Sequence, residues 1–172
     1  MNEPLKKSSL RDTLESLLIT VILAIFGTTF VLQTFKIPTG SMEPNLLVGD
    51  HLIVNKMRFA PITRGDVIVF KFPKDPERDF VKRVIGLPGD VVSERAGYVY
   101  VDDRRLAEPY VRAADRDTQT QTWPRLGPRQ YFVMGDNRAG SCDSRTWGPV
   151  PRSAFIGPVV ATYWPPNRWT SH

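Results

Sequence analysis

The sequence predicts a mainly β protein: a β-rich, barrel- or sandwich-like domain carried behind one N-terminal transmembrane helix. Three observations lead there. The only long apolar run, Leu17 to Leu32, lies close to the N-terminus. Short runs of β-branched and aromatic residues, set between Gly and Pro turn signals, fill most of the rest. No strong 3.6-residue periodicity appears beyond the apolar run.

Each element follows in order. Residues 1–15 form a short polar, cytoplasmic lead containing Lys6, Lys7 and Arg11. Residues 16–35 are the anchor. From Leu17 to Phe35 a helix spans about 28 Å, close to a hydrocarbon core of about 30 Å. A cleavable secretory signal has the same basic start, but the run is long for one and no Ala-x-Ala follows it. Three basic residues before the helix, against Lys36 after it, place the N-terminus inside and residues 36–172 outside. In that domain strands are expected at 51–55, 66–72, 79–85, 91–92, 98–101, 131–134 and 159–163. The polar stretch 109–129 reads as a solvated loop. Trp164 and Trp169 in the Pro-rich tail suit either a headgroup layer or packing on the domain.

Composition excludes several functions. The 172 residues carry a net charge of +5 without a dense Lys/Arg tract, so no nucleic-acid partner is expected. The single cysteine, Cys142, excludes an internal disulfide, and two histidines with no His-Glu-x-x-His exclude a multi-histidine metal site. No cofactor or metal is expected.

The chemistry begins at Ser41, held in the turn Pro38-Thr39-Gly40-Ser41-Met42-Glu43-Pro44 just past the anchor. A serine hydroxyl needs a base to become a nucleophile. His172 is the last residue, and His51 starts a strand with no evident acid partner. A lysine serves only if burial lowers its pKa from about 10.4. The run Phe80-Val81-Lys82-Arg83-Val84-Ile85 offers one. Strand alternation puts Lys82 with Phe80 and Val84, and Arg83 with Val81 and Ile85, so one of two adjacent cations lies among apolar groups. Alternation alone leaves open a stem that snorkels to solvent.

Four ordered stretches carry a resemblance. Phe35 to Val48, including Ile37-Pro38-Thr39-Gly40-Ser41-Met42-Glu43-Pro44, resembles the serine box of bacterial type I signal peptidases. Gly49 to Lys56 resembles the strand that follows it. Phe80 to Asp90 is similar to the lysine box, and Gly135-Asp136-Asn137-Arg138 through Ser141-Cys142-Asp143-Ser144-Arg145 to Gly148 resembles the final box. The resemblance implies a Ser-Lys peptidase with Ser41 as nucleophile and Lys82 as general base. The Ser41 N–H and the Thr39 hydroxyl would form the oxyanion site. It implies that the Ser141 hydroxyl orients the lysine amine, and that an Asp143–Arg145 ion pair positions Ser141. Ile37, Pro38, Met42, Leu46, Phe80 and Val81 match positions that wall the pockets for small substrate side chains.

By the same resemblance the partners are signal-peptide-bearing preproteins and the lipid bilayer. The expected enzyme is a monomer in the plasma (inner) membrane. Two other readings stay open. One is a specialised processing peptidase for a single conjugation, pilin or organelle client. The other is an inactive β domain that binds peptides, which the joint presence of Ser41, Lys82, Thr39 and Ser141 disfavours.

Overall fold

The computed structural model describes residues 10–27, 31–57 and 61–171. Lys6, Lys7 and His172, used in the sequence reading, lie outside them. Helix α1, Leu10–Phe26, is 17 residues long, a rise of about 26 Å. Its leucines and isoleucines stand exposed, Leu17 at 60% and Leu23 at 64%. Among the described residues, no helix is long and apolar enough to cross a membrane.

The sequence reading carried that helix to Phe35. Instead Leu32–Lys36 is strand β1, paired antiparallel with β2 (His51–Asn55) from Leu32 opposite Asn55 to Lys36 opposite His51. Thr34 and Phe35 favour the pleated surface, and pairing gives the outer edge of β2 its ladder bonds. The β domain therefore takes in residues 32–35, which had been assigned to the anchor.

The remaining strands are β3 (Val67–Phe72), β4 (Asp75–Gly86), β5 (Val92–Arg95), β6 (Tyr98–Val101), β7 (Arg104–Arg105), β8 (Gln121–Thr122), β9 (Gln130–Met134), β10 (Val150–Pro151), β11 (Phe155–Trp164) and β12 (Thr170–Ser171). A four-residue helix, α2, covers Ser144–Trp147. They form an 8-stranded antiparallel sheet in the order β1-β2-β11-β3-β4-β9-β10, with β12 on β11, and a 4-stranded sheet in the order β7-β6-β5-β8. The expected mainly β architecture is what the chain adopts.

Strand β11 is the seam of the large sheet. Its first half pairs β3, Phe155 opposite Phe70, and its second half pairs β2, Val159 opposite Val54. One apolar cluster, with Ile37, Met42, Leu46, Leu52, Val54, Val67 and Val69, lies beneath the serine turn. A second, around Ile85, Val99, Trp123, Phe132 and Met134, joins the two sheets.

The polar stretch 109–129 is largely exposed and irregular, as expected of a solvated loop, but it is tied to the domain at three points. Trp123 and Leu126 enter the second cluster, Gln121–Thr122 pairs β5, and the Asp117 carboxylate binds the Arg145 guanidinium. A partner distant in sequence buries its charge, which local polarity does not reveal.

Candidate active site

Ser41 sits in a single 3-10 turn, Gly40–Met42, whose Met42 side chain is buried in the core. Lys82 projects from β4, opposite Ile68 of β3. Its neighbours Val84, Ile68 and Val69 are fully buried, and Lys82 itself is only 4% exposed. The sheet delivers its amine to the serine: Lys82 Nζ lies 2.6 Å from Ser41 Oγ. The amine also donates to the Val81 carbonyl at 3.0 Å, which leaves its remaining direction facing the hydroxyl.

Burial governs the protonation of this amine. Desolvation lowers the Lys82 pKa from 10.5 to about 8, opposed most by the nearby Asp143 carboxylate. Desolvation prevails because no carboxylate touches the amine among the described residues. At neutral pH roughly a tenth of the molecules carry a neutral Lys82. In that form the nitrogen lone pair can accept the Ser41 proton.

Arg83, the next residue, shows the opposite arrangement. Its Nε and Nη2 grip the two Asp136 oxygens at 2.8 and 2.6 Å, its Nη1 donates to the Gly65 carbonyl, and its guanidinium stacks 4.2 Å from the Tyr110 ring centre. Asn45 donates to the same Asp136 carboxylate at 2.8 Å.

The final box closes behind the serine. Asn137 donates its backbone N–H to the Ser41 carbonyl and its side-chain amide to the Gly40 carbonyl, both at 3.2 Å, so the Ser41 turn hangs from this loop. Gly135 must be glycine. A Cβ there would stand 2.2 Å from Ser141 Oγ and 2.4 Å from the Ser41 carbonyl oxygen. Asp143 caps α2 and accepts the Gly135 N–H at 3.0 Å. Arg145 holds both Asp143 oxygens at 2.8 Å and donates to the Arg138 and Ser141 carbonyls.

Two expectations need correction. The Ser141 hydroxyl is buried but makes no hydrogen bond among the described residues, so it does not orient the Lys82 amine. It is turned onto Gly135, and the Val81 carbonyl takes the bond expected of it. Leu46, expected to wall a substrate pocket, is fully buried in the core under the serine turn and does not line the cleft.

A cleft of about 510 Å³ opens beside the dyad, lined by Ile37, Pro38, Thr39, Ser41, Met42, Phe80, Val81 and Lys82. Val69 floors it, and Lys36, Arg78, Asp79 and Cys142 stand around it. None of these five was anticipated as a lining residue; Lys36 and Cys142 fall inside the resembling stretches, while nothing local in the sequence marks Val69, Arg78 and Asp79. The exposed Thr39 hydroxyl is 3.4 Å from Ser41 Oγ. His51 faces Tyr163, with its Nδ1 3.4 Å from the phenol, and does not line the cleft. No group of His, Cys, Asp and Glu among the described residues could hold a metal ion.

A serine hydroxyl set 2.6 Å from a buried lysine amine, at an apolar cleft on a β scaffold, is the arrangement with which the chain is compared to known proteins. The chain belongs to the signal peptidase, peptidase S26 family, which it matches over residues 10–164. It is thus a serine endopeptidase by family. It is 39% identical to signal peptidase I of Leptolyngbya laminosa across 97% of this chain and 86% of that one. With signal peptidase I of Bacillus caldolyticus it shares 39% identity across 79% of this chain and 81% of that one. A crystal structure of a signal peptidase I from Enterococcus faecalis superposes with a TM-score of 0.52 at 32% identity, covering 58% of this chain and 97% of that one.

Proposed function

We propose that this protein removes N-terminal signal peptides from exported preproteins, with Ser41 as nucleophile and Lys82 as general base. The observation that carries the reading is the 2.6 Å approach of Lys82 Nζ to Ser41 Oγ, with the amine buried and lowered to about 8. Neutral Lys82 takes the hydroxyl proton as Ser41 Oγ attacks the scissile carbonyl. The oxyanion forms against the Ser41 N–H and the Thr39 hydroxyl, each such donor worth about 3 kcal/mol. The Lys82 ammonium then protonates the leaving amine and the C–N bond breaks. A water, deprotonated by the amine, hydrolyses the acyl-serine.

The preprotein lies extended between residues 36–39 and β4. The bulky walls Ile37, Pro38, Met42, Phe80 and Val81 admit small side chains and exclude large ones. The apolar side chains exposed along helix α1 associate the monomeric enzyme with the plasma membrane, with the β domain on its outer side. Substrates tethered by their own signal helices then meet the cleft at the bilayer surface.

The full chain in detergent, given a radiolabelled preprotein, tests this. Ser41→Ala and Lys82→Ala are each expected to lose cleavage by at least about 10²- to 10⁴-fold while retaining the fold. The wild-type rate should climb as pH rises through about 8. Near-normal cleavage by either variant, or a rate independent of pH, contradicts the dyad.

A further inference from the structure

Behind the catalytic wall lies a buried charge cluster that the mechanism does not use. Glu94 of β5 is fully buried, and neither of its carboxyl oxygens has a hydrogen-bond partner when it is ionised. Three charged groups face it: Asp117 from the stretch before β8, Arg145 from α2, and Arg138 from the loop after β9. The nearest guanidinium nitrogen, Arg145 Nη1, is 4.0 Å away and already binds Asp117. Arg138 is bound to Glu108, which also pairs with Arg116, and one Arg138 nitrogen is unpartnered. Four carboxyls (Glu94, Asp117, Asp143 and Glu108) thus share three guanidiniums (Arg145, Arg138 and Arg116).

Glu94 is the surplus acid. Glu94 and Asp117 face the same Arg145 Nη1, Asp117 in contact with it and Glu94 4.0 Å from it, and two carboxylates crowded on one nitrogen bond each other only if one of them keeps a proton. Asp117 is the committed acceptor of Arg145, so the proton belongs to Glu94.

We propose that Glu94 is a positioning residue: protonated, it donates to Asp117, and this acid–carboxylate pair sets Arg145 against Asp143 and the wall behind Ser41. The link is continuous. Arg145 Nη1 binds Asp117, its Nε and Nη2 hold Asp143, Asp143 holds the Gly135 N–H, and Gly135 packs on the Ser41 carbonyl. Burial first, then the Asp117 carboxylate, push the Glu94 carboxyl up to about 7 against the pull of Arg145 and Arg138. Ionised Glu94 repels Asp117 and competes with it for Arg145, loosening that grip as pH rises.

The sign follows from linkage. The folded protein keeps a proton that the unfolded chain releases near 4.5, so stability from this group is full at low pH and lost as pH rises through about 7. Glu94→Gln mimics the protonated acid in shape and in donating ability. In the full chain in detergent, Glu94→Gln is expected to melt with wild type at about pH 5 and above it at about pH 9. The ratio of its kcat to that of wild type should rise several-fold over the same interval, with KM unchanged. Loss of stability and activity at every pH would show an ionised Glu94 and overturn the proposal. A melting difference without a change in the kcat ratio would overturn the positioning role.

Should Glu94→Gln fail to fold, infrared difference spectra of the wild-type protein decide. A protonated-carboxyl band is expected at about pH 6 and gone by about pH 9, and its absence at the lower pH overturns the proposal. The kinetic arm rests on the signal-peptide reading. The melting and infrared arms do not, so a chain that cleaves no preprotein still reports on the proton of Glu94.

Discussion

Lys82 and Arg83 are adjacent cations on one strand, both taken out of water, with opposite outcomes. The Lys82 face of β4 offers apolar side chains, a carbonyl and a serine hydroxyl, and no carboxylate in contact among the described residues. The Arg83 face offers Asp136 in a two-pronged grip and the Tyr110 ring. Lysine can escape an unpaired burial by releasing its proton, and arginine cannot. The β pleat therefore sorts the two residue types by chemistry: an amine with a lowered pKa on one face, a permanent charge pinned by its carboxylate on the other. A catalytic cleft and a load of structural charge can share a strand because the pleat keeps them on opposite sides.

The largest expected effect breaks the paired face. Asp136→Ala leaves Arg83 at 12% side-chain exposure without its carboxylate, and removes one of the two acceptors of Asn45, the Tyr110 carbonyl remaining. Stripping one partner from a buried pair costs about 3 to 5 kcal/mol. Chemical denaturation of the full chain should show that loss, and Arg83→Met added to Asp136→Ala should recover most of it. If Asp136→Ala alone is neutral, the charge on that face is solvated and the contrast fails.

Next comes the unpaired face, where the sign reverses. Holding Lys82 at about 8 rather than 10.5 disfavours the charged folded state by about 3 kcal/mol at neutral pH. The unfolded chain binds the proton more tightly, so this destabilisation is present below about 8 and fades as pH rises toward 10.5. Lys82→Met, inactive, should therefore melt several degrees above wild type at about pH 6, and the gap should narrow at about pH 10. A destabilised Lys82→Met would mean that the amine is held charged by its surroundings.

The two faces also differ in how far the sequence discloses them. The alternation from Phe80 to Ile85 predicts that one cation is buried, because strand period and apolar neighbours are local facts. The partners are not local. Asp136 and Asp143 were visible only as parts of a motif, and Asp117 and Glu94 carried no signal, since their burial depends on arginines supplied from elsewhere in the fold. The strand at Leu32–Lys36 departs from the expected helix for a related reason. An apolar segment beside an anchor satisfies helix and strand patterns equally, and only the free edge of β2 decides. Ser141 illustrates the limit of resemblance: it stands in the expected place, yet its hydroxyl rests on Gly135.

The smallest effect tests how tightly the cleft face must be held for Lys82 to act. Asn137 ties the nucleophile turn to the final box through its backbone N–H on Ser41 and its side-chain amide on Gly40, while its own carbonyl oxygen accepts the Gly140 N–H at 3.1 Å. Asn137→Ala removes the side-chain bonds and keeps the backbone one. The stability loss should be about 2 kcal/mol, the usual net worth of two such bonds. The rate should fall as well, by about tenfold in kcat with KM held, because a small displacement of Ser41 Oγ from the amine degrades the geometry of proton transfer. Asn137→Asp discriminates further: it keeps the acceptor for Gly140 but loses the donor to Gly40. If Asp restores the rate, the Gly140 turn is what matters. If it behaves as Ala does, the hold on the nucleophile turn is the working contact, and the dyad distance depends on that box as well as on the pleat.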